Sequence, residues 1–317
     1  METKYLDVHI IYSDKDKKYL PKLLQQYKKF KIENSIYDWE LSLKVHNNSG
    51  INNIGQFQRR LEIIKDAPED HYIWFIDGDD EIIGNANLKN CPENDIDIYI
   101  FAYKGFAQLP SKKVIVVDEK YLFKDTFFNK EKGDYFFEGP RGMSNLTHIG
   151  GGALWNKWIK VKCWHNLFNY LKNMNYENIR PNSSEDCFYS LYALNNANYI
   201  FYSINPIYQY RNDRSIVFNP TNNIIKYQSF LNFRKNHKEV TEAIRGLNIP
   251  YIEDFFIADR CCHLEKALLC VEIKKALQDV VDEFGKETII YVLENYDARV
   301  NSCHPMVKHL AYKYLTK

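Results

Sequence analysis

"YIWFIDGDDEII", residues 72–83, is an apolar run that stops at Asp77, Asp79 and Asp80, with Glu81 directly after. A run that is apolar on both faces reads as a strand covered by helices on each side, as in the parallel sheet of an α/β protein. Carboxylates packed this closely raise one another's pKa unless a cation or a donor-rich ligand neutralises them. An exposed acidic turn and a metal site both satisfy the stretch taken alone. Gly78 has no side chain and lets a ligand approach the backbone between Asp77 and Asp79. Hard oxygen ligands at this spacing suit Mg²⁺ or Mn²⁺. An EF-hand calcium loop does not fit: counting from Asp77, the sixth residue is Ile82 instead of Gly, and the twelfth is Leu88 instead of Glu.

Working outward, strand and helix alternate through the first hundred residues. Leu6–Tyr12 reads as a buried strand. Leu20, Leu23, Leu24 and Tyr27 follow at the spacing of one helix face. Glu40–Val45 is a second strand, ending in the turn-rich "HNNSGINN". Phe57, Leu61 and Ile64 mark a helix before "HYIWFI", and "DIDIYIFAY" and "KKVIVVD" are further apolar runs. The alternation predicts an α/β domain with a mostly parallel sheet, whose ligands lie beyond the carboxyl ends of the strands, where "DGDD" falls. Later come "GGGALWNKWIK", a helix starting near Ser184 and the strand-like "NYIFYSINPIYQYR". From about Pro220 the pattern turns helical.

The 317 residues can bury a large core, and 45% hydrophobic with 26% charged residues is ordinary for a globular chain. Lys plus Arg (42) balances Asp plus Glu (41), so bulk charge gives no argument for a nucleic-acid partner. Seven Cys, an odd number, no apolar signal core near Met1 and no stretch of membrane-spanning length point to the cytoplasm. Zinc is disfavoured because "CCH" at 261–263 lacks the gap that lets paired ligands face one ion. His9, inside the first strand, reads as a core histidine.

With this start, "FIDGDDEI" resembles the DxD segment of family-2 glycosyltransferases of the GT-A fold. Three more segments follow in family order. "LWNKWIK" (154–160) resembles the Trp-Asn-Lys segment of bacterial polysaccharide members. "SSEDCFYSLYAL" (183–194) resembles their Glu-Asp motif at a helix start, and "PIYQYRNDRSI" (206–216) their Tyr-Arg…Ser segment. The resemblance implies a GT-A-like, Rossmann-type domain over residues 1–218 and a helical C-terminal region over 219–317. It implies sugar transfer from a nucleotide-diphosphate donor, UDP by family expectation, to an acceptor hydroxyl, with inversion, in the synthesis of a surface polysaccharide or other glycan.

Carried over residue by residue, Asp79 ligates Mn²⁺ or Mg²⁺ on the donor diphosphate, and Asp77 helps hold the metal or contacts the ribose. Asp186 is the general base, with Glu185 beside it. Tyr12 and Ser13 lie against the nucleobase, and Arg211 reaches the diphosphate. Trp155 and Lys157 are candidates for contact with the acceptor, a glycan or a lipid-linked sugar. The basic stretch His304–Lys317 is a candidate amphipathic helix, which would rest peripherally on the inner face of a membrane. The chain departs from the family in two places. The Asp pair that reads the base is replaced by "HNNS" (46–49) or the isolated Asp38, and the Arg-bearing motif before DxD by "GQFQRR", with Arg59 and Arg60 as weak substitutes. The segment between the first strand and DxD is also short by one strand–helix unit.

The residues by themselves leave bland readings open. Ser183 and Asp186 have the spacing of a helix cap, Trp155 and Trp158 suit a core, and Lys157 and Arg211 suit solvent or an ordinary ion pair. A sugar-phosphate nucleotidyltransferase shares the α/β nucleotide fold, but no Gly-rich basic loop follows the first strand. A catalytically silent binder of a glycan or a partner would keep the fold without the chemistry.

Overall fold

The computed structural model describes residues 2–108, 114–119, 124–130, 153–179, 185–210 and 225–247, most of 260–295, and 249, 312, 313 and 315. The strands are β1 (Thr3–Tyr12), β2 (Ile32–Glu33), β3 (Asp38–Asn47), β4 (Tyr72–Asp77), β5 (Glu81–Ile82), β6 (Ala86–Asn87), β7 (Ile98–Gln108), β8 (Val114–Glu119), β9 (Thr126–Asn129), β10 (Lys157–Lys160) and β11 (Tyr199–Tyr210). The helices are α1 (Leu20–Lys29), α2 (Gln56–Asp66), α3 (Leu167–Asn173), α4 (Glu185–Asn196), α5 (Tyr227–Arg245), α6 (Ile273–Phe284) and α7 (Lys286–Asn295).

The main sheet runs β3-β1-β4-β10-β7-β11-β5, with β8 beside β7 and β9 beside β11. β1 is parallel to β3 and β4, and β7 is parallel to β11. The four-residue β10 runs antiparallel to both neighbours, β4 and β7, and joins the two parallel halves. This is a mixed, mostly parallel sheet between helical layers, a GT-A-like arrangement with a helical C-terminal part.

Strand β4 shows why the sheet is covered on both sides. Tyr72, Trp74 and Ile76 face a core that includes Leu23 of α1, Phe30 and Trp158. Ile73 and Phe75 face the other core, with Phe57, Leu61 and Ile64 of α2 and Phe188, Tyr189 and Leu191 of α4. By the same alternation Asp77 follows Phe75 onto the α2–α4 face. A third core forms in the C-terminal part around Phe230, Leu264, Ala276, Leu277 and Ile289. Helix α5 serves two cores, with Phe230 in this third one and Val240 and Ile244 in the α2–α4 core.

Candidate functional site

The four acids that close β4 have separate fates. Glu81 accepts hydrogen bonds from Lys22 Nζ (2.7 Å) and Gln26 Nε2 (3.3 Å) of α1. Asp80, 3% exposed, accepts from the hydroxyl of Tyr208, which itself accepts from the backbone N–H of Asp77 at 3.4 Å. These two residues pin the turn to α1 and β11. Asp77 reaches Arg60, with Oδ1 at 3.4 Å from a terminal guanidinium nitrogen, and Asp79 is half-buried.

Arg60 brings the distant motifs together. It is 2% exposed, and its other terminal nitrogen donates to Glu185 Oε1 at 3.0 Å and to Asp186 Oδ1. The "DGDD" turn and the start of α4 therefore meet on one guanidinium at the carboxyl end of the sheet. Burial pushes Asp77 up to about 7; Arg60 opposes the rise, and Asp186, Asp79 and Glu185 add to it. Burial and Asp186 likewise push Glu185 up to about 7 against the pull of Arg60. Burial disfavours the charge on Arg60, but its three carboxylates overcome that and hold it charged. Three carboxylates thus compete for a single guanidinium.

The local backbone explains the placement. Helix α2 starts after Gly55, whose φ of 84° suits glycine, and its buried stripe is Phe57, Arg60, Leu61 and Ile64. Arg60 thus occupies an apolar position of an amphipathic helix. Tyr189 of α4 donates to the Phe57 carbonyl at 2.8 Å and packs on the Phe57 ring at 5.0 Å, which sets α4 against α2. Glu185 and Asp186 fill the first turn of α4, where acids suit the helix dipole.

The ends of β1 and β3 form the adjoining wall. Gly78 donates to the Ile11 carbonyl at 2.9 Å, and a Cβ on Gly78 would fall 2.3 Å from Tyr12 Cβ, so strand and turn can meet this closely only at glycine. Ser13 is bound into a turn by Asp16. Ser49 Oγ accepts from the Asp14 N–H at 2.6 Å, and Asn48 donates its backbone N–H to Tyr12 at 2.8 Å. "HNNS" therefore lies against Tyr12. Asp38 begins β3 at the opposite end of the sheet, opposite Thr3, and is excluded from this wall. Several buried polar atoms here lack a hydrogen-bond partner among the described residues: Asn47 Oδ1, Asn48 Oδ1, Gln56 Oε1, Arg59 Nε and Arg60 Nε. Such atoms are costly unless water or a polar ligand satisfies them. His9 is a core residue, 2.9 Å from His46, and burial pushes it down to about 3, so its ring is neutral.

Trp155 and Lys157 stand behind the site. Trp155, 8% exposed, stacks on Tyr208 (4.9 Å) and Tyr210 (5.0 Å). Lys157 is fully buried and donates to the Ala153 carbonyl and to Asn156 Oδ1 (2.9 Å). Burial lowers it to about 7, with Asp186 pulling the other way. Both side chains are thus engaged within the protein, by β11 rings for Trp155 and by carbonyl oxygens for Lys157. Arg211, Gly150–Gly152 and Ser183 lie outside the described residues, as does most of 304–317. No helix among the described residues is long and apolar enough to cross a membrane.

Asp77 and Asp79 are the side chains that would hold Mg²⁺ or Mn²⁺, ions that bind through one or two protein carboxylates plus phosphate oxygens. The observation in favour is that the two carboxylates are close enough for Asp79 to add to the rise at Asp77. Among the described residues no group of three or more His, Cys, Asp or Glu is arranged to hold a metal without such a partner.

No family model matches the chain, and no curated protein matches it. Solved structures of TarS from S. aureus are similar in fold. Full TarS aligns over 98% of this chain and 53% of its own length, with 14% identity and a TM-score of 0.50. The chain thus spans about half the length of that protein. TarS 1–349 aligns over 98% of this chain and 87% of its own, with 16% identity and a TM-score of 0.49. Its complex with UDP-GlcNAc aligns over 98% and 88%, with 16% identity and a TM-score of 0.45.

Proposed function

We propose that this chain is a metal-assisted glycosyltransferase that moves a sugar from a nucleotide-diphosphate donor to an acceptor hydroxyl with inversion. The observation that carries the reading is the meeting of Asp77, Glu185 and Asp186 on Arg60 at the carboxyl end of the parallel strands. That edge is where α/β sheets bind nucleotides. Asp77 and Glu185, 108 residues apart in sequence, share this one cation.

In this reading the nucleoside lies on Tyr12, Ser13 and the amides of Asn47 and Asn48, whose unpaired oxygens would accept from the base or ribose. Asp79, with Asp77, would hold Mn²⁺ or Mg²⁺, whose charge stabilises the departing diphosphate. Asp186 takes the acceptor proton as its oxygen attacks the anomeric carbon, and the bond to the diphosphate breaks on the opposite face. Trp155 and Tyr208 hold the turn that carries Asp77 and Asp79. A glycan or a lipid-linked sugar is the acceptor class, in a cytoplasmic setting.

Thermal stability against a panel of nucleoside diphosphates and UDP-sugars, with Mn²⁺, with Mg²⁺ and with chelator, tests this. A ligand at one hundred times its Kd adds about 2.7 kcal/mol, so a metal-dependent rise in Tm is expected for one nucleotide class and is lost in Asp79→Asn. A folded protein that no nucleotide stabilises would sink the reading and favour a silent binder.

A further inference from the structure

Sugar transfer as written gives Arg60 no task, yet it is 2% exposed and is held by three carboxylates. One terminal nitrogen is shared by Glu185 and Asp186, and the other reaches Asp77 at the longer distance of 3.4 Å. Its Nε is buried without a partner, and the face of Phe75 lies 5.8 Å from the guanidinium carbon. Phe57 packs on Phe188 (5.8 Å) and Tyr189 (5.0 Å), which holds the helix bearing Arg60 against the helix bearing Asp186. The guanidinium therefore has little freedom to swing, and a change in one carboxylate is felt by the others through it.

We infer that Arg60 is a positioning residue that couples the donor side of the site to the base: one fork of its guanidinium orients Asp186 while the other senses Asp77. The inference rests on the transferase reading for its purpose but not for its geometry. The grip is uneven, close on Asp186 and long on Asp77, so a donor complex that draws Asp77 away leaves the guanidinium to Glu185 and Asp186. The base is then held in place when the donor is present. This needs a planar fork with several donors; a lysine ammonium, a single point charge, cannot span carboxylates from β4 and α4 in this way.

The first test needs no ligand. Melting temperatures of Asp77→Asn, Asp186→Asn and the double variant are measured with Arg60 present and again in an Arg60→Gln background. With Arg60 the two effects should depart from additivity by about 2–4 °C, and with Gln they should add within about 1 °C. Additivity with Arg60 in place overturns the coupling, as does non-additivity of the same size in both backgrounds. Should Arg60→Gln fail to fold, Arg60→Lys takes its place.

The second test measures hydrolysis of a UDP-sugar with Mn²⁺. Arg60→Lys should lower kcat by about 100-fold, the scale of a small misplacement of a catalytic group, with donor KM within about threefold. A loss confined to KM, or none, overturns the positioning role. If the unaltered protein binds no UDP with either metal, the transferase reading fails, while the melting cycle still decides the coupling.

Discussion

The sheet carries a buried cation at each end, and the two are solved differently. At the amino end of β1, Lys4 is 6% exposed, with Nζ 3.6 Å from the Tyr37 ring centroid and 5.6–5.9 Å from those of Trp39, Tyr72 and Tyr99. Asp95 lies 3.5 Å away and is shared with Lys160 (2.7 Å), while Lys162 reaches Asp97 at 2.6 Å. Rings and opposite charges there close the account within the protein. At the carboxyl end one guanidinium faces Asp77, Glu185 and Asp186, with Asp79 nearby in the same turn. One end closes its charges on rings and carboxylates; at the other, three carboxylates compete for one guanidinium. The same sheet thus separates structure from site by charge closure.

The largest break in this comparison would come from Asp186→Asn. Loss of a general base should cut sugar transfer by about 10²–10⁴-fold, with nucleotide affinity from calorimetry nearly unchanged. Unchanged turnover would leave Asp186 as a helix-start acid and make the two ends alike.

Gly78→Ala tests the close approach at the carboxyl end. The added carbon would overlap Tyr12, and overpacking of this kind costs about 1–3 kcal/mol, read as a lower Tm together with weaker nucleotide binding. A variant as stable as the parent would show that the turn can yield.

The two ends should also respond to pH with opposite sign. Asp77 and Glu185 titrate near 7 in the fold and near 4 when unfolded. Between those values the folded state holds protons that the unfolded state has lost, so stability is full below about pH 4 and declines as pH rises to about 7. The decline should be seen in the metal-free protein, and should be smaller in Asp77→Asn and smaller with Mn²⁺. At the other end Asp95 is held below its ordinary pKa: burial opposes this, and Lys160 and Lys4 outweigh it. Its contribution is present above the unfolded value and lost on acidification. Urea unfolding at a series of pH values separates the two.

The smallest effect is expected for Lys4→Met, which keeps the apolar stem and leaves Asp95 to Lys160 and Lys162. A cation–π contact and one shared ion pair are together worth about 1 kcal/mol. Nucleotide binding should not change; a change would mean that the amino end also serves the site.

Much of this was legible in the sequence because it is local. The strand over Leu6–Tyr12, the helix from Leu20, the strand at Glu40–Val45 and the helix marked by Phe57, Leu61 and Ile64 all lie inside observed elements, since periodicity reports burial directly. The short interval before "DGDD" holds a single full-length strand, β3, as its length suggested. β10 had no such signal: four residues are too few for a period, and its antiparallel place depends on partners at Ile73 and Ile98–Ile100. Arg60 was named only as a weak substitute. Its contacts lie 17, 125 and 126 residues away, beyond any pattern, but an arginine on the apolar stripe of α2 was a clue available without coordinates. The burial of Trp155 and Lys157 had no signal either, because an aromatic and a lysine beside a motif look the same in sequence whether a sheet covers them or not.

The antiparallel β10 also bears on how the protein is made. β4 leaves the ribosome long before its inner neighbour, since residues 78–160 must follow before β10 is complete. At about 5–20 residues per second, that is roughly 4–16 s in which one edge of a strand apolar from Ile73 to Ile76 has no partner. Open strand edges invite pairing with other chains, so a ribosome stalled between Asp77 and Lys157 would hold out a fragment whose β4 edge is still open.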